Sequence, residues 1–236
     1  MTPDPSDAPL DPPLHSPVDP LDGPGRTTAA ITAGGLIAIL RAPSAEHFAA
    51  ITDTLVKAGV RAVEITLTTP GALRSIAELT KAYRDDVIIG AGTVITADQA
   101  ERCIDAGATF LVSPTASPDV VAAARIAGVA ACPGALTPTE VLAAHRSGAS
   151  AVKLFPASAV RPRFLTDVHG PLPGIPIIPT GGIAISDITA WISAGAAAVG
   201  LGGPLVGKAT IHGVDAALVT RARRAVEAVA TARAGQ

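Results

Sequence analysis

The segment ITDTLVKAGVRAVEITLTTP, residues 51–70, contains the unit from which the chain is built. A helical stretch ends in KAGV at 57–60, and the apolar run RAVEITL at 61–67 follows at once. Glycine takes the left-handed backbone conformation that ends a helix at low steric cost. The segment therefore predicts a helix, a glycine stop and a buried strand in direct succession.

The same unit recurs along the chain. The glycine signal returns as DAGA at 105–108, IAGV at 126–129, RSGA at 146–149 and SAGA at 193–196. Apolar strands are predicted at 36–41, 61–67, 87–91, 109–113, 129–132, 150–155, 175–180 and 197–202. Strict alternation of strands with helices predicts a parallel sheet with right-handed crossovers.

Eight such units indicate an α/β fold in which one (β/α)8 TIM barrel spans residues 27–236. Such a barrel needs roughly 200–250 residues, which suits this chain. The alternative is an open doubly wound sheet, which usually carries a G-x-G-x-x-G turn after its first strand. Here the first strand ends in LRAPS at 40–44, so we favour the barrel.

Residues 1–26 differ from the rest because proline is very dense there and no apolar period appears. Proline fixes φ and removes an amide donor, which opposes both helices and strands. We therefore expect a disordered tail that contributes little to the chemistry.

Composition narrows the classes of function. Hydrophobic residues make up 48% of the chain and charged residues 16%, and the formal net charge is −2. No Lys/Arg-rich cluster occurs, so nucleic acid is not expected as a partner. No apolar run reaches the ~18 residues of a membrane span, and the N-terminus lacks signal-peptide features. We expect a cytoplasmic protein that does not bind membranes.

The two cysteines, Cys103 and Cys132, are too few for a disulfide framework or a metal site. We expect them to be buried, reduced thiols. The five histidines show no metal-ligand spacing, so a catalytic metal is not expected.

Lys153 is the most informative candidate for catalysis, since barrel enzymes place their sites at the carboxyl ends of the strands. It lies within the apolar run SAVKLF at 150–155, and alternation puts it on the inner face with Ala151 and Phe155. An isolated buried ammonium costs several kcal/mol unless it is paired or neutralised. We expect its pKa to fall, leaving an amine that can attack a ketone. The alternative is a structural ion pair with Glu64.

Glu64 is the matching carboxylate, placed in the middle of the apolar run RAVEITL at 61–67. A buried glutamate is unusual without a partner or a task. Next to an amine it can act as general acid and base, directly or through one water. The same Lys–Glu ion pair is the alternative here.

Two glycine-bearing loops and one arginine suggest where anions bind. The loops IIPTGGIAISD at 177–187 and VGLGGPLVG at 199–207 follow strands 7 and 8, where barrels often hold phosphate on backbone amides. Gly181, Gly182, Gly202 and Gly203 are the candidate phosphate residues, with a purely steric role as the alternative. Arg41, at the end of strand 1, suits a substrate carboxylate or phosphate, and a surface ion pair is its alternative.

The order of these motifs resembles one known family. The motifs are GLIAILRA (35–42), VEITLTTPGAL (63–73), IIGAGTV (88–94), LVSPT (111–115), PGALTPTE (133–140), AVKLFPA (151–157), IPTGGI (178–183) and VGLGG (199–203). They resemble the 2-keto-3-deoxy-6-phosphogluconate (KDPG) aldolases, also known as 4-hydroxy-2-oxoglutarate (KHG) aldolases, over about residues 34–208.

The resemblance implies a role for each matching residue. Lys153 would form the imine with pyruvate, and Glu64 would move protons with a bound water. The remaining assignments are substrate-binding: Thr93 and Pro114 in the pyruvate pocket, Phe155 beside the imine, Arg41 at an anionic end, Thr180 at a substrate hydroxyl, and Gly181 and Gly182 near the phosphate. The resemblance also implies a homotrimer without metal or organic cofactor.

The expected reaction is cleavage of 2-dehydro-3-deoxy-6-phosphogluconate to pyruvate and glyceraldehyde 3-phosphate. Cleavage of 4-hydroxy-2-oxoglutarate to pyruvate and glyoxylate is a second expected activity. Two alternatives stay open: the galactonate epimer as substrate, and a non-aldolase barrel that binds a sugar phosphate. The hydroxyl of Thr180 favours the gluconate form because it can hydrogen-bond the substrate.

Two positions depart from the family pattern. Some members carry Arg where this chain has Thr68, although a group of them has Thr there and Arg on strand 1, as here. Many members have Ser where this chain has Gly203, followed by Pro204. A hydroxyl contact to phosphate would then be missing, so we expect the phosphate affinity to be affected.

Overall fold

The structure is a computed structural model that describes residues 23–84 and 86–235. Of the predicted tail, 1–26, residues 1–22 lie outside the described residues. Gly23 already begins a helix, so the predicted boundary at residue 26 lies inside that helix. Pro24 is tolerated there because the first turn of a helix leaves its amides unbonded. The hydroxyl of Thr28 donates to the carbonyl of Pro24 at 2.8 Å.

Strands and helices alternate through the described residues. The strands are β1 (Leu36–Leu40), β2 (Ala62–Thr66), β3 (Ile88–Gly92), β4 (Phe110–Val112), β5 (Ala130–Cys132), β6 (Gly134–Ala135), β7 (Val152–Leu154), β8 (Ile177–Pro179) and β9 (Val199–Leu201). The α-helices are α1 (Gly23–Gly34), α2 (Phe48–Lys57), α3 (Ala72–Tyr83), α4 (Ala97–Asp105), α5 (Pro118–Ile126), α6 (Pro138–Arg146), α7 (Arg163–His169), α8 (Ile188–Ser193), α9 (Gly203–Val206), α10 (Ala209–His212) and α11 (Ala216–Ala234).

All strand pairs are parallel, and they close into a barrel. One sheet has the order β5-β4-β3-β2-β1-β9 and the other β6-β7-β8. A bridge between Thr180 and Gly200 joins β8 to β9, and the amide of Lys153 donates to the carbonyl of Pro133 at 2.9 Å. All eight predicted strands are present, but the fifth is divided into β5 and β6 at Pro133, which has no amide hydrogen. The barrel prediction is confirmed, and the open sheet is excluded.

Side chains alternate between a barrel interior and an outer layer under the helices. The interior cluster contains Ile37, Ile39, Ala62, Phe110, Val112, Ala130, Cys132, Ala151, Ile178 and Ala198. Ile31 of α1 belongs to the same cluster. Since α1 leads directly into β1, this helix covers the amino-terminal end of the barrel. The opposite end, where the strands finish, is left for the site.

The glycine signals act as the sequence predicts. The glycines that follow α2, α4, α5, α6 and α8 all have positive φ, between 66° and 105°. Each helix therefore stops close to the start of the next strand, which keeps the barrel compact. Two helices also begin with a side-chain cap: Thr96 accepts the amide of Gln99, and Thr137 forms a capping box with Glu140.

Candidate active site

Lys153 and Glu64 meet inside the carboxyl end of the barrel. Lys153 lies on β7 and is 6% exposed, and Glu64 lies on β2 and is 2% exposed. The Nζ atom of Lys153 is 3.9 Å from Oε1 of Glu64, which is within ion-pair range and too long for a hydrogen bond. The predicted alternation is correct, because Val152 and Leu154 pack in the outer layer while Ala151 is inside.

Burial governs the electrostatics of Glu64. Loss of water around the carboxyl raises its pKa above the ordinary value, and the nearby charges of Lys153 and Arg41 oppose this rise without cancelling it. Glu64 therefore keeps a proton to higher pH than an exposed glutamate does. A group that gains and loses its proton closer to neutrality is well suited to shuttle protons.

A cavity of about 260 Å³ opens over the Lys153–Glu64 pair. Nine of the eleven predicted site residues line it: Arg41, Glu64, Lys153, Phe155, Thr180, Gly181, Gly182, Gly202 and Gly203. The ring centroid of Phe155 lies 5.1 Å from Nζ of Lys153, at cation–π distance, so this ring forms the wall beside the amine. The predicted residues thus form one cavity rather than scattered positions.

Thr93 does not line the cavity itself but contacts a residue that does. Its Oγ1 accepts a hydrogen bond from Nη2 of Arg41 at 3.3 Å. Thr93 also has φ of 60°, a left-handed conformation that is unfavourable for a β-branched residue. Such strain is concentrated at functional sites in known structures. Among the described residues no carboxylate lies within salt-bridge distance of Arg41, so the surface ion pair is not what this side chain makes.

Pro114, at the end of β4, does not line this cavity directly, and its place in the pyruvate pocket stays a prediction. Its carbonyl packs so closely on Gly134 that a Cβ at that position would overlap it. Ser113, which precedes it, is fixed by a 2.7 Å hydrogen bond from its hydroxyl to the carbonyl of Val94. These contacts hold the turn after β4 against β6.

The glycine loops line the cavity with backbone. Gly181 and Gly182 have φ of 92° and 79°, which strongly favours glycine. With Gly202 and Gly203 they form the side of the cavity that follows β8 and β9. Backbone amides that line a cavity can bind an anion. A steric role is present as well, because a Cβ on Gly182 would lie 2.6 Å from the Cβ of Ser158.

Sequence reasoning missed Thr210, which enters the same cavity from α10. This threonine is 7% exposed, and its hydroxyl makes no hydrogen bond to another of the residues described. No motif marks it, because the chain reaches this position only after it has passed the glycine loop and α9. Its unbonded hydroxyl is a polar group available to a ligand.

Cys132 lies in the barrel interior near the amine–carboxyl pair. Burial and the charge of Glu64 together raise the pKa of this thiol to about 12, while the charge of Lys153 acts in the opposite direction. Cys103 lies on the buried face of α4, and burial raises its pKa to about 11. Both are free and buried, as predicted. Over residues 23–84 and 86–235, no group of three or more His, Cys, Asp or Glu side chains could hold a metal ion. No helix in this part of the chain is long and apolar enough to cross a membrane.

A (β/α)8 barrel that holds a buried lysine amine beside a buried carboxyl, under a cavity at its carboxyl end, has the fold and site of a class I aldolase. Enzymes of this class are lyases that bind their carbonyl substrate as a Schiff base. The sequence model described as "Aldolase: KDPG and KHG aldolase" matches residues 28–222. The chain therefore belongs to the KDPG and KHG aldolase family, a family of aldehyde-lyases that use pyruvate.

Two relatives and one solved structure place the chain within this family. A probable 2-dehydro-3-deoxy-6-phosphogalactonate aldolase from Rhizobium meliloti (strain 1021) is 39% identical over 72% of this chain and 81% of the relative. The 2-dehydro-3-deoxy-6-phosphogalactonate aldolase of Escherichia coli (strain K12) is 37% identical over 72% and 83%. The crystal structure of KDPG aldolase from Legionella pneumophila, with pyruvate captured at low pH as a covalent carbinolamine, matches with a TM-score of 0.73 and 26% identity, over 87% of this chain and 97% of that one.

Proposed function

We propose that this aldolase cleaves 2-dehydro-3-deoxy-6-phosphogalactonate to pyruvate and glyceraldehyde 3-phosphate. The buried Lys153–Glu64 pair under the cavity carries the proposal for the reaction. The choice of epimer follows the two relatives at 39% and 37% identity, which are named a probable 2-dehydro-3-deoxy-6-phosphogalactonate aldolase and a 2-dehydro-3-deoxy-6-phosphogalactonate aldolase. They favour this alternative over the gluconate substrate expected from the sequence.

In the proposed mechanism Lys153 is the nucleophile. Its neutral amine attacks the C2 ketone to give a carbinolamine, which loses water to give a protonated imine. The imine accepts the electron pair of the C3–C4 bond as that bond breaks, and an enamine forms. Protonation of the enamine at C3 and addition of water then release pyruvate and free the amine. The captured carbinolamine in the Legionella relative supports the first step.

Glu64 is proposed to move protons through one water. The 3.9 Å between Nζ of Lys153 and Oε1 of Glu64 lets a single water lie about 2.8 Å from both atoms. Glu64 would take the C4 hydroxyl proton through this water as glyceraldehyde 3-phosphate leaves, and would later return a proton to C3. Its raised pKa favours such an exchange, because the group holds a proton more readily than an exposed glutamate does.

The two anionic ends of the substrate are proposed to bind to different groups that line the cavity. Arg41 would bind the carboxylate through its fork of donors, with Thr93 accepting one of its hydrogen bonds. The backbone of the glycine loops at Gly181, Gly182 and Gly202 would hold the phosphate, with Gly203 beside them at the start of α9. Phosphate binding by glycine amides near the ends of strands is common in barrels.

The gluconate epimer is the second candidate, and Thr180 is the observation in its favour. Its hydroxyl is 5% exposed within the cavity and donates only a long hydrogen bond, 3.4 Å, to the carbonyl of Ile178. It therefore stays available to a substrate hydroxyl. The two epimers differ at the C4 hydroxyl, and both give the same products on cleavage. A sugar-phosphate-binding barrel without turnover remains the non-catalytic alternative.

Borohydride trapping tests the Schiff base. Incubation with pyruvate and borohydride should leave a reduced adduct on the peptide that contains Lys153, as read by mass spectrometry. Lys153→Ala should give no adduct and no turnover, whereas Lys81→Ala, at an exposed lysine of α3, should behave as the parent protein. An adduct on a different lysine, or none at all, would refute the mechanism.

Substrate preference is tested by kcat/KM for the galactonate epimer, the gluconate epimer and 4-hydroxy-2-oxoglutarate. The galactonate form should have the highest value. Synthesis from pyruvate and glyceraldehyde 3-phosphate gives a second readout, because the configuration of the product at C4 reports the face that the enzyme uses. A homotrimer is also proposed from the family resemblance, and light scattering in solution would measure it.

A further inference from the structure

Two buried threonines hold the backbone on both sides of Arg41. Thr66 ends β2 and is 0% exposed, and its hydroxyl donates to the carbonyl of Leu40 at 3.2 Å. Thr69 is 2% exposed, and its Oγ1 accepts the amide hydrogen of Ala42 at 3.1 Å. Leu40 and Ala42 are the immediate neighbours of Arg41, so its backbone is fixed before and after the Cα atom.

The two hydroxyls also connect to each other. Oγ1 of Thr66 and Oγ1 of Thr69 are 3.4 Å apart, and each hydroxyl offers one donor and two acceptor sites. The three bonds can form one consistent chain. The Ala42 amide donates to Thr69, the Thr69 hydroxyl donates to Thr66, and the Thr66 hydroxyl donates to the Leu40 carbonyl. The paired register of β1 and β2 ends at Leu40 and Ile65, so these side chains continue the pairing where the backbone does not.

Arg41 needs such support because little else holds it. Its side chain is exposed at the cavity rim, and its hydrogen bond to Thr93, at 3.3 Å, is long. The guanidinium is nevertheless close enough to Glu64 to favour that carboxylate electrostatically. A long side chain with many rotamers reaches such a place reliably only if its Cα–Cβ direction is fixed.

We propose that Thr66 and Thr69 are positioning residues that aim Arg41 at the cavity and thereby set the affinity for the anionic group that Arg41 binds. The proposal rests on the function proposed above, in which Arg41 binds one anionic end of the substrate. Neither threonine lines the cavity, so both act through Arg41 and not by touching the substrate.

A double-mutant cycle tests the proposal on the full-length protein. Thr69→Val should lower kcat/KM by about ten-fold, mainly through KM, which is the effect of losing roughly one hydrogen bond. Thr69→Ser keeps the hydroxyl and should stay within about two-fold of the parent. In an Arg41→Ala background Thr69→Val should cause no further loss. Equal losses in both backgrounds would overturn the proposal.

Thr52 offers a matched control, because it is also a fully buried threonine but its Oγ1 has no partner among the described residues. Thr52→Val should leave KM and kcat unchanged. If Thr69→Val fails to fold, Thr69→Ala takes its place in the same cycle, and Thr66→Val provides the second arm with the same expected result.

Hydrogen–deuterium exchange separates this proposal from the proposed function. Thr69→Val should speed amide exchange in the peptide that spans residues 41–43, and Thr52→Val should not. Unchanged exchange would overturn the positioning role, whatever the activity. A parent protein that traps no pyruvate would instead refute the aldolase mechanism, while the exchange result would still decide whether the threonines hold the segment around Arg41.

Discussion

The carboxyl of Glu64 occupies the space that a side chain on Gly92 would need. A Cβ built on Gly92, at the end of β3, would overlap Oε1 of Glu64. The absence of a side chain at Gly92 on β3 therefore leaves the space that the Glu64 carboxyl fills next to Lys153. The position of the proposed proton shuttle depends on a residue that has no chemistry of its own.

Gly92→Ala should therefore displace Glu64 while leaving the amine in place. We expect kcat for cleavage to fall by at least about 10²-fold, which is the scale of a lost general acid–base contribution. Borohydride trapping of pyruvate on Lys153 should persist. Gly34→Ala is the control, because a Cβ there meets its nearest atom, the Cβ of Arg61, at 3.8 Å. Normal turnover by Gly92→Ala would show that Glu64 need not occupy its present position.

Glu64→Gln tests the proton shuttle directly. The amide has nearly the same shape but cannot accept a proton, so carbinolamine formation should continue while C3–C4 cleavage slows. We expect kcat to fall by about 10²–10⁴-fold, and single-turnover kinetics should locate the loss after the covalent step. If the variant cleaves substrate at the parental rate, another group must act as the base.

The buried carboxyl also makes stability depend on pH. Burial raises the pKa of Glu64 in the folded protein above its ordinary value of 4.5, so the folded state holds this proton more tightly than the unfolded chain. The stabilisation is complete below the unfolded pKa and is lost as pH rises through the folded pKa. Urea unfolding at a series of pH values should show the free energy of unfolding falling more with pH in the parent than in Glu64→Gln. Parallel curves for the two proteins would contradict the raised pKa.

Much of the fold follows from local sequence rules. A glycine with positive φ ends each of five helices, and repeated helix–glycine–strand units leave few arrangements other than a closed parallel barrel. The period of two in AVKLF and RAVEIT places Lys153 and Glu64 inside, because their apolar neighbours need the outer layer. These features depend on residues close together in the chain, so the sequence predicts them.

Features that depend on distant contacts were harder to predict. Helix α1 begins at Gly23 within a proline-rich segment, and Ile31 of this helix covers the amino-terminal end of the barrel. The turn at Pro114 depends on close packing against Gly134. Thr210 reaches the cavity only because α9 and α10 fold back over it. No local pattern carries such information.

The two cysteines should be unreactive in the native protein. Thiolates are the reactive form, and burial raises the pKa of Cys103 to about 11 and of Cys132 to about 12. A disulfide reagent at about pH 8 should label both thiols only as fast as the protein unfolds, and both at once in concentrated urea. Rapid labelling of either cysteine in native buffer would show that its burial is transient.

A hydroxyl at position 210 and one at position 203 should be able to replace each other, in part, as a contact to the substrate phosphate. The family resemblance implies Ser where this chain has Gly203, and the buried Thr210 lines the same cavity here. Thr210→Val should raise KM for the phosphorylated substrate by about ten-fold, the effect of one lost hydrogen bond to a charged group. It should leave KM for unphosphorylated 4-hydroxy-2-oxoglutarate unchanged.

Adding Gly203→Ser to Thr210→Val should recover part of the lost affinity, because a Cβ on Gly203 meets no atom within 4 Å and its backbone carries no positive φ. Thr220→Val, at an exposed threonine of α11 whose hydroxyl donates to Ala216, is the matched control and should change neither constant. A similar rise in KM for both substrates would mean that Thr210 supports the shape of the cavity and not the phosphate. The rescue by serine separates these two roles, since a hydroxyl at position 203 can replace a hydrogen bond but cannot restore packing at position 210.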